Sequence, residues 1–359
     1  MINVIGLGYI GLPTALILAK SGKQVVGTDV KSDIVDSLRE KKVTFEEPGM
    51  TGLLEKALEN EIEFKTHPVE SSFYIITVPT PYDSVSKKLD CKYVEDATKS
   101  VLEFAEDGAI IVLESTVTPG AIDKYIRPIV EDYIAKTGKK INLAHAPERV
   151  MPGNIIYEIE NNARTVGADS EEIALRVKEV YKSFCKSEIN LTDIKTAEMT
   201  KVVENTFRDV NIAFANELAK ICRQGGVDVN EVIRISNMHP RVNILSPGPG
   251  VGGHCISVDP WFLVGEYPLL TELIYKARKI NDSMPEYVLK RAYDIMKKNG
   301  LKDFTRVGIY GLTYKENVDD VRNSPTMQML EYQKENLASP LKVYDPMVKN
   351  DIVDNQYHN

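Results

Sequence analysis

Four glycines within six positions lead into a cysteine in Gly248-Pro249-Gly250-Val251-Gly252-Gly253-His254-Cys255. Backbone N–H groups laid open by such a run can hold a phosphate or an oxyanion. The thiol beside them is a candidate nucleophile, and a lone cysteine needs an activating neighbour to act as one. The bland alternative is an inert thiol, which is the reading for Cys91, Cys185 and Cys222. His254 is adjacent, but neighbouring side chains on an extended segment point apart, so it is not paired with the thiol. Lys201, Asn205 and Arg208 make a better set of partners. At about 100° per residue they fall within a wedge of roughly 60° on one helix face. The other residues of that stretch include Met199, Val202, Val203, Phe207, Val210, Phe214, Leu218 and Ile221. The stripe reads as an anion and oxyanion clamp in which Lys201 lowers the thiol pKa, or as a solvent face salt-bridged to Glu198 or Glu204. Glu148, in Ala146-Pro147-Glu148-Arg149-Val150, and Asp259, four residues past Cys255, are carboxylates able to position or deprotonate a water, or simply structural acids. His239 and Arg241 offer another anion contact or merely a turn.

A second chemistry is written at the start of the chain. Gly6-Leu7-Gly8-Tyr9-Ile10-Gly11 follows the apolar strand Ile2–Ile5 and opens a helix. In that context the first glycine allows a tight turn, the second lets backbone approach a pyrophosphate, and the third lets helix and strand pack closely. The helix N-terminus offers N–H groups to phosphate. Asp29 ends the next strand, where its carboxylate would accept from a ribose diol and repel a 2′-phosphate. NAD is therefore favoured over NADP, with Lys31 a mild counter-signal. Thr80 and Thr116 follow two further apolar runs at the carboxyl edge, where they would touch the cofactor or cap a strand.

The elements that must position these residues are apolar strands at Ile2, Gln24, Phe73, Ala109 and Ile141, alternating with helical stretches. That alternation predicts an α/β fold with a mostly parallel, doubly wound sheet. A long helix from about Lys195 to Arg223 follows, closed by Gly225-Gly226. After the Pro/Gly-rich loop Pro240–Pro260, a helical stretch runs from Leu270 to Lys298. A new α/β start has a strand at Arg306–Leu312, a helix near Thr326–Glu335 and a strand at Leu341–Asp345.

The chain of 359 residues, with 43% apolar and 27% charged residues, has ordinary globular usage and length for two domains or somewhat more. Its net charge of -8 disfavours general binding to nucleic acid or to anionic membranes. No apolar run approaches the roughly 18 residues needed to span a bilayer. No signal peptide is legible, and the four dispersed cysteines suggest neither disulfides nor a metal site, so a reduced, cytoplasmic protein is expected.

Five blocks carry a resemblance over nearly the whole chain: GLGYIGLPTA, APERVMPG, AEMTKVVENTFRDVNIAFANELAKI, HPRVNILSPGPGVGGHCISVDPWF and GLTYKENVDDVRNSP. Together they resemble the UDP-glucose/GDP-mannose dehydrogenase family of nucleotide-sugar 6-dehydrogenases. The resemblance implies oxidation of the sugar C6 alcohol to a carboxylate with two NAD. It makes Cys255 the nucleophile that holds the aldehyde as a thiohemiacetal and then a thioester. Lys201 and Asn205 would stabilise oxyanions, and Glu148, Asp259 and Thr116 would serve hydrolysis. Gly6, Gly8, Tyr9, Ile10, Gly11, Asp29, Thr80, Thr116 and Arg322 would contact NAD. Arg149, Val150, Lys201, Asn205, Arg208, Gly252, Tyr314 and Lys315 would contact substrate. His239 and Arg241 match positions that reach a neighbouring subunit's substrate, and a homodimer through the central helix is implied.

The blocks PERVMPG and HPRVNILSPGPGVGGHC point to an N-acetylated sugar, UDP-N-acetyl-D-mannosamine, with UDP-N-acetylglucosamine or UDP-glucose as alternatives. Rival readings are a non-catalytic NAD-binding protein and a two-electron β-hydroxyacid dehydrogenase. The expected organisation is an NAD-binding domain over 1–190, a central helical domain over 191–300 and a partial UDP-binding domain over 301–359. The last holds fewer strands than its relatives have and is expected to be mobile or propped. Ser257 stands where many relatives have proline.

Overall fold

A computed structural model of the chain describes residues 1–83, 85–253, 255–301, 303, 307–337 and 341–348. His254, the Arg306 start of the predicted strand and residues 349–359 lie outside the described residues. The chain divides into two compact units, Met1–Val202 and Val203–Asn359.

The first unit runs β1 (Ile2–Ile5), α1 (Gly11–Lys20), β2 (Val25–Thr28), α2 (Ser32–Arg39), α3 (Met50–Glu59), β3 (Glu63–Lys65), β4 (Ser71–Ile76), α4 (Lys92–Leu102) and β5 (Ala105–Leu113). A π-helical turn at Ile122–Ile126 leads into α5 (Arg127–Thr137), followed by β6 (Ile141–His145), α6 (Ile155–Asn161), β7 (Arg164–Ala168), α7 (Glu171–Lys182) and β8 (Ile189–Thr192). The strands form one sheet in the order β3-β2-β1-β4-β5-β6-β7-β8. The strands β1 to β6 are parallel; β7 pairs antiparallel with β6 and parallel with β8, so β7 and β8 run the opposite way. Strands β1 and β2 are buried at every position, as expected where helices cover both faces of a sheet. Val4, Leu16, Leu54, Ile75 and Val112 belong to one large apolar cluster between the sheet and its helices. The predicted strands appear as β1, β2, β4, β5 and β6. β3, β7 and β8 were not anticipated: they are short and carry no clear apolar run.

Helix α8 (Ile194–Gln224) begins in the first unit and continues into the second. It stops where Gly226 turns left-handed (φ +69) and Val227 N–H donates to the Cys222 carbonyl. Then come α9 (Val229–Ser236), α10 (Asp259–Glu266), α11 (Glu272–Asp282), α12 (Met284–Lys298), β9 (Gly308–Tyr310), α13 (Pro325–Leu337) and β10 (Lys342–Tyr344). The single helical stretch expected over Leu270–Lys298 is in fact α11 and α12. The break falls at Ser283, because Pro285 has no N–H to continue α11 and sits comfortably in the first turn of α12. β9 and β10 form a parallel pair. Leu289 and Tyr293 of α12 share a core with Leu312, Leu330, Leu341 and Val343. Two strands and one helix thus complete their burial with a face of α12.

Two buried networks place the functional loops. In the first unit, the Glu198 carboxylate accepts from Gly120 N–H (2.5 Å) and Ile122 N–H (2.9 Å), fixing the turn after β5 that carries Thr116. In the second unit, buried Arg278 donates to Asp209 (2.5 Å), and Asn281 Nδ2 donates to the same carboxylate (2.8 Å). Asn281 Oδ1 accepts from Asn216, whose own Oδ1 accepts Gly248 N–H (2.9 Å each).

Arg278→Met leaves the Asp209 carboxylate buried without its cation and is expected to cost about 3–5 kcal/mol, read by denaturant unfolding; an unchanged midpoint would contradict the role given to the pair. Burial pushes the Glu198 carboxyl from 4.5 up to about 7, against the two N–H donors. The folded state therefore binds more protons than the unfolded state between those values, and stability falls as pH rises across the interval. Glu198→Gln is expected to flatten that fall, which denaturation across the interval measures.

Candidate active site

The carboxyl edge of β1, β2, β4 and β5 gathers the expected cofactor residues of the first unit. Gly6 turns with φ +92, which a side chain rarely adopts. A Cβ on Gly11 would lie 1.8 Å from the Gly6 carbonyl oxygen and 2.2 Å from Thr77 Oγ1, so helix and turn meet there only without a side chain. Thr77 Oγ1 donates to the Gly6 carbonyl (2.7 Å) and ties the turn to the end of β4. Around Gly8 there is open space, and its backbone is free to be approached. The first turn of α1 carries no acidic residue, so its N–H groups face an anion without competition. Asp29 accepts from Leu7 N–H (2.8 Å) and Lys31 N–H (3.0 Å), which fixes the carboxylate beside the turn.

A cavity of ≈ 500 Å³ opens there, lined by Leu7, Gly8, Tyr9, Ile34, Thr44 and Phe45 among others. The Tyr9 ring packs 4.3 Å from Phe45, Ile10 precedes the first helical residue, Thr80 is buried and Thr116 half-buried. An open glycine backbone, an uncapped helix start and a fixed carboxylate fit a dinucleotide.

Glu148, Arg149 and Val150 follow β6 at the same edge. Buried Glu148 accepts from Arg149 N–H (2.7 Å) and pairs with Arg164. Arg164 also pairs with Glu114 (3.1 Å). Arg149 donates to the Ala163 carbonyl (3.0 Å) and Thr165 Oγ1 (2.9 Å), and Val150 packs on the core. Sequence reasoning missed Glu114 and Arg164, for which a charge ending or opening a buried strand was the available signal, and the anchoring role of Glu198 on α8, for which the sequence carries none.

In the second unit the cysteine loop is packed, not loose. A Cβ on Gly252 would lie 2.6 Å from Tyr314 Cβ and 2.7 Å from the Asn323 carbonyl oxygen. Gly253 N–H donates to the Arg322 carbonyl (2.9 Å), while the Arg322 guanidinium grips Asp320 through two bonds (2.8 and 2.6 Å). Ser257 Oγ donates to the Gly253 carbonyl (2.5 Å), a closure that proline could not make. Cys255 is exposed, whereas Cys91, Cys185 and Cys222 are buried. The Cys255 carbonyl accepts from Val258 N–H (3.0 Å) and Asp259 N–H (2.8 Å) at the start of α10. The buried Asp259 carboxylate accepts from Asn205 Nδ2 (2.6 Å). Gly252, Cys255, Asn205, Asp259, Tyr314 and Arg322 thus belong to one linked set, and Lys315 stands half-buried beside Tyr314.

The expected stripe on α8 splits. Lys201 and Asn205 are 7% and 6% exposed, whereas Arg208 is exposed. Salt-bridging to Glu198 on a solvent face is overturned, because Glu198 is buried and committed to Gly120 and Ile122. The outward stripe is apolar instead, with Phe207 64%, Phe214 53% and Ile221 65% exposed. Beside it a cavity of ≈ 930 Å³ is lined by Phe207, Val210, Phe214, Arg241, Ile244 and Leu273 among others. His239 and Arg241 belong to that exposed loop and not to the cysteine set. No described helix is long and apolar enough to cross a membrane.

Three models of the UDP-glucose/GDP-mannose dehydrogenase family match in order: the NAD binding domain over residues 1–185, the central domain over 195–283 and the UDP binding domain over 308–359. A UDP-N-acetyl-D-mannosamine dehydrogenase of Methanococcus maripaludis is 46% identical over 96% of this chain and 79% of its own. One of Escherichia coli is 41% identical over 92% and 81%. Solved structures of a UDP-D-ManNAc dehydrogenase from Pyrococcus horikoshii (39% identity, TM-score 0.91) and a UDP-N-acetyl-mannosamine dehydrogenase from Staphylococcus aureus (40%, TM-score 0.88) share the fold. The first comparison covers 97% of this chain and 84% of the other, the second 100% and 84%. The fold, the dinucleotide edge and the matched models agree that the chain is an NAD-dependent oxidoreductase and belongs to the UDP-glucose/GDP-mannose dehydrogenase family.

Proposed function

We propose that the chain oxidises the C6 alcohol of UDP-N-acetyl-D-mannosamine to UDP-N-acetyl-D-mannosaminuronate. The observation that carries this reading is the contrast among the cysteines. Three are buried, while Cys255 is exposed on a turn packed by Tyr314 and backed by the Asn205–Asp259 pair. The similarity to UDP-N-acetyl-D-mannosamine dehydrogenases of Methanococcus maripaludis and Escherichia coli supports the choice of sugar.

Bound NAD supplies the hydride acceptor in each of two oxidations, one molecule per step. The alcohol loses a hydride and a proton to give the aldehyde. The Cys255 thiol adds to the aldehyde carbon, and its proton passes to the new hydroxyl oxygen, giving a thiohemiacetal. A second hydride and proton leave to give the thioester. Water then adds at the carbonyl carbon, the C–S bond breaks, and the acid and free thiol are released. A dehydrogenase needs the thiol because it retains the aldehyde in an oxidisable form. In this reading Lys201 and Asn205 balance developing negative charge on oxygen, and Glu148, Asp259 and Thr116 serve the hydrolysis.

Gly6, Gly8, Tyr9, Ile10, Gly11, Asp29, Thr80, Thr116 and Arg322 hold the cofactor. Arg149, Val150, Arg208, Gly252, Tyr314 and Lys315 hold the substrate. The exposed apolar stripe of α8 supports a homodimer in which His239 and Arg241 serve the neighbouring subunit's substrate. The product suits surface-polysaccharide synthesis in the cytoplasm.

An NADH assay against UDP-N-acetyl-D-mannosamine, UDP-N-acetylglucosamine and UDP-glucose tests the reading. Two NADH per sugar are expected with the first; one NADH per sugar, or a preference for either rival, would overturn it. Cys255→Ala is expected to abolish acid formation. Unchanged turnover would point to two-electron chemistry, and NAD binding without UDP-sugar binding to a non-catalytic protein.

A further inference from the structure

The two strands that reverse direction have a chemical consequence. In the β6–β7 register His145 pairs with Gly167 and Ala144 with Ala168. Continued three residues past the end of β6, that antiparallel register sets position 148 opposite position 164. A parallel β7 would have begun at the far edge of the sheet. Reversal instead brings Arg164, its first residue, to the carboxyl edge, against Glu148 and against Glu114 at the end of β5. All three side chains are buried.

The flat guanidinium lies 4.6 Å from the Tyr181 ring centroid and 5.2 Å from that of Phe184, so it cannot swing away. Thr14 Oγ1 approaches the other oxygen of Glu114 (3.4 Å). The remaining titratable groups that act on the trio are Tyr181 and Cys185, from α7 and the turn after it; Arg149 meets it through its backbone N–H, and His145 of β6 lies nearby in sequence. Burial pushes His145 down to about 3, so the imidazole is neutral, and its Nδ1 lies 2.8 Å from the Leu113 carbonyl oxygen. Two carboxylates therefore share one cation in a buried site. One positive charge cannot balance two negative ones there, so one carboxyl keeps its proton until the medium becomes basic enough to remove it. Glu114 is the keeper. Burial pushes it up to about 7, with Arg164 opposing and Glu148 reinforcing the shift, while Glu148 takes the backbone N–H and the guanidinium.

We propose that Arg164 and Glu114 are positioning residues for the hydrolytic step: Arg164 aims the Glu148 carboxylate, and Glu114 competes with Glu148 for the same guanidinium. This rests on the hydrolytic role given to Glu148 above. In the step, Glu148 takes a proton from water as the oxygen bonds to the thioester carbon. The C–S bond breaks, Cys255 leaves as thiolate and is reprotonated, and no electrons change hands. When Glu114 loses its proton, its negative charge draws on the same guanidinium and loosens the hold of Arg164 on Glu148.

Rapid mixing of the full chain with NAD and UDP-N-acetyl-D-mannosamine tests this, with NADH absorbance following the two oxidations and intact mass following acyl on Cys255. Glu148→Gln comes first and is expected to form NADH at the normal rate and then stall as acyl-enzyme. Hydrolysis at the wild-type rate in that variant would sink the hydrolytic reading itself. Given the stall, the rate of acyl loss in the wild type is expected to rise through an inflection near neutral pH, and Glu114→Gln to lack it, staying several-fold slower on the basic side. Arg164→Lys keeps the charge but loses the fork, and is expected to slow acyl loss about tenfold while both oxidations keep their rates. An inflection that survives in Glu114→Gln would overturn the proposal. So would an Arg164→Lys variant whose oxidations and acyl loss fall together, which is the mark of a scaffold role.

Discussion

Everything at the cofactor edge depends on one contact too close for a side chain. Where β1 turns into α1, Gly11 sits against the Gly6 carbonyl and Thr77 Oγ1, and the helix cannot approach the sheet with even a methyl group between them. That approach aims the start of α1 along the strand ends. It lets Thr77 bind the turn to β4 and sets Leu7 N–H onto Asp29. The parallel run from β1 to β6 then delivers Thr80, Thr116 and Glu148 to the same edge, because parallel strands all finish on one side.

The second unit solves a different problem. A loop rich in glycine and proline has little intrinsic order, yet it must present one thiol in one place. Asn211 and Asn237 each bond both ways to the loop backbone: Asn211 to Asn243 and Leu245, and Asn237 to both groups of Ile244. Asn216 adds the bond to Gly248, oriented in turn by Asn281, Asp209 and Arg278. Tyr314 and Asn323 then close on Gly252 and Gly253. Order comes from side chains outside the loop, Asn211 and Asn216 of α8 among them, and not from the loop itself.

What the sequence revealed follows from the range of each interaction. The strand–glycine–helix turn with Asp29 is local, so its residues announce it. Lys201 and Asn205 share a helix face by spacing alone, yet which face was buried depended on packing, and Arg208 fell outside. The Glu114–Arg164–Glu148 trio was invisible because it requires three strands in a particular order and one reversal. No spacing along the chain encodes that register. The break at Ser283 was legible in Pro285 but outweighed by the helical periodicity on either side.

The asparagine clamps have a further consequence for the surroundings of the thiol. Amide-to-backbone bonds join neutral partners, so dissolved ions do not screen them and protons do not titrate them. A loop tethered by lysines and carboxylates would drift with the salt and acidity of its medium. One tethered by asparagine at 211, 216 and 237 holds its shape through changes in both, leaving ionic sensitivity to the groups that do the chemistry.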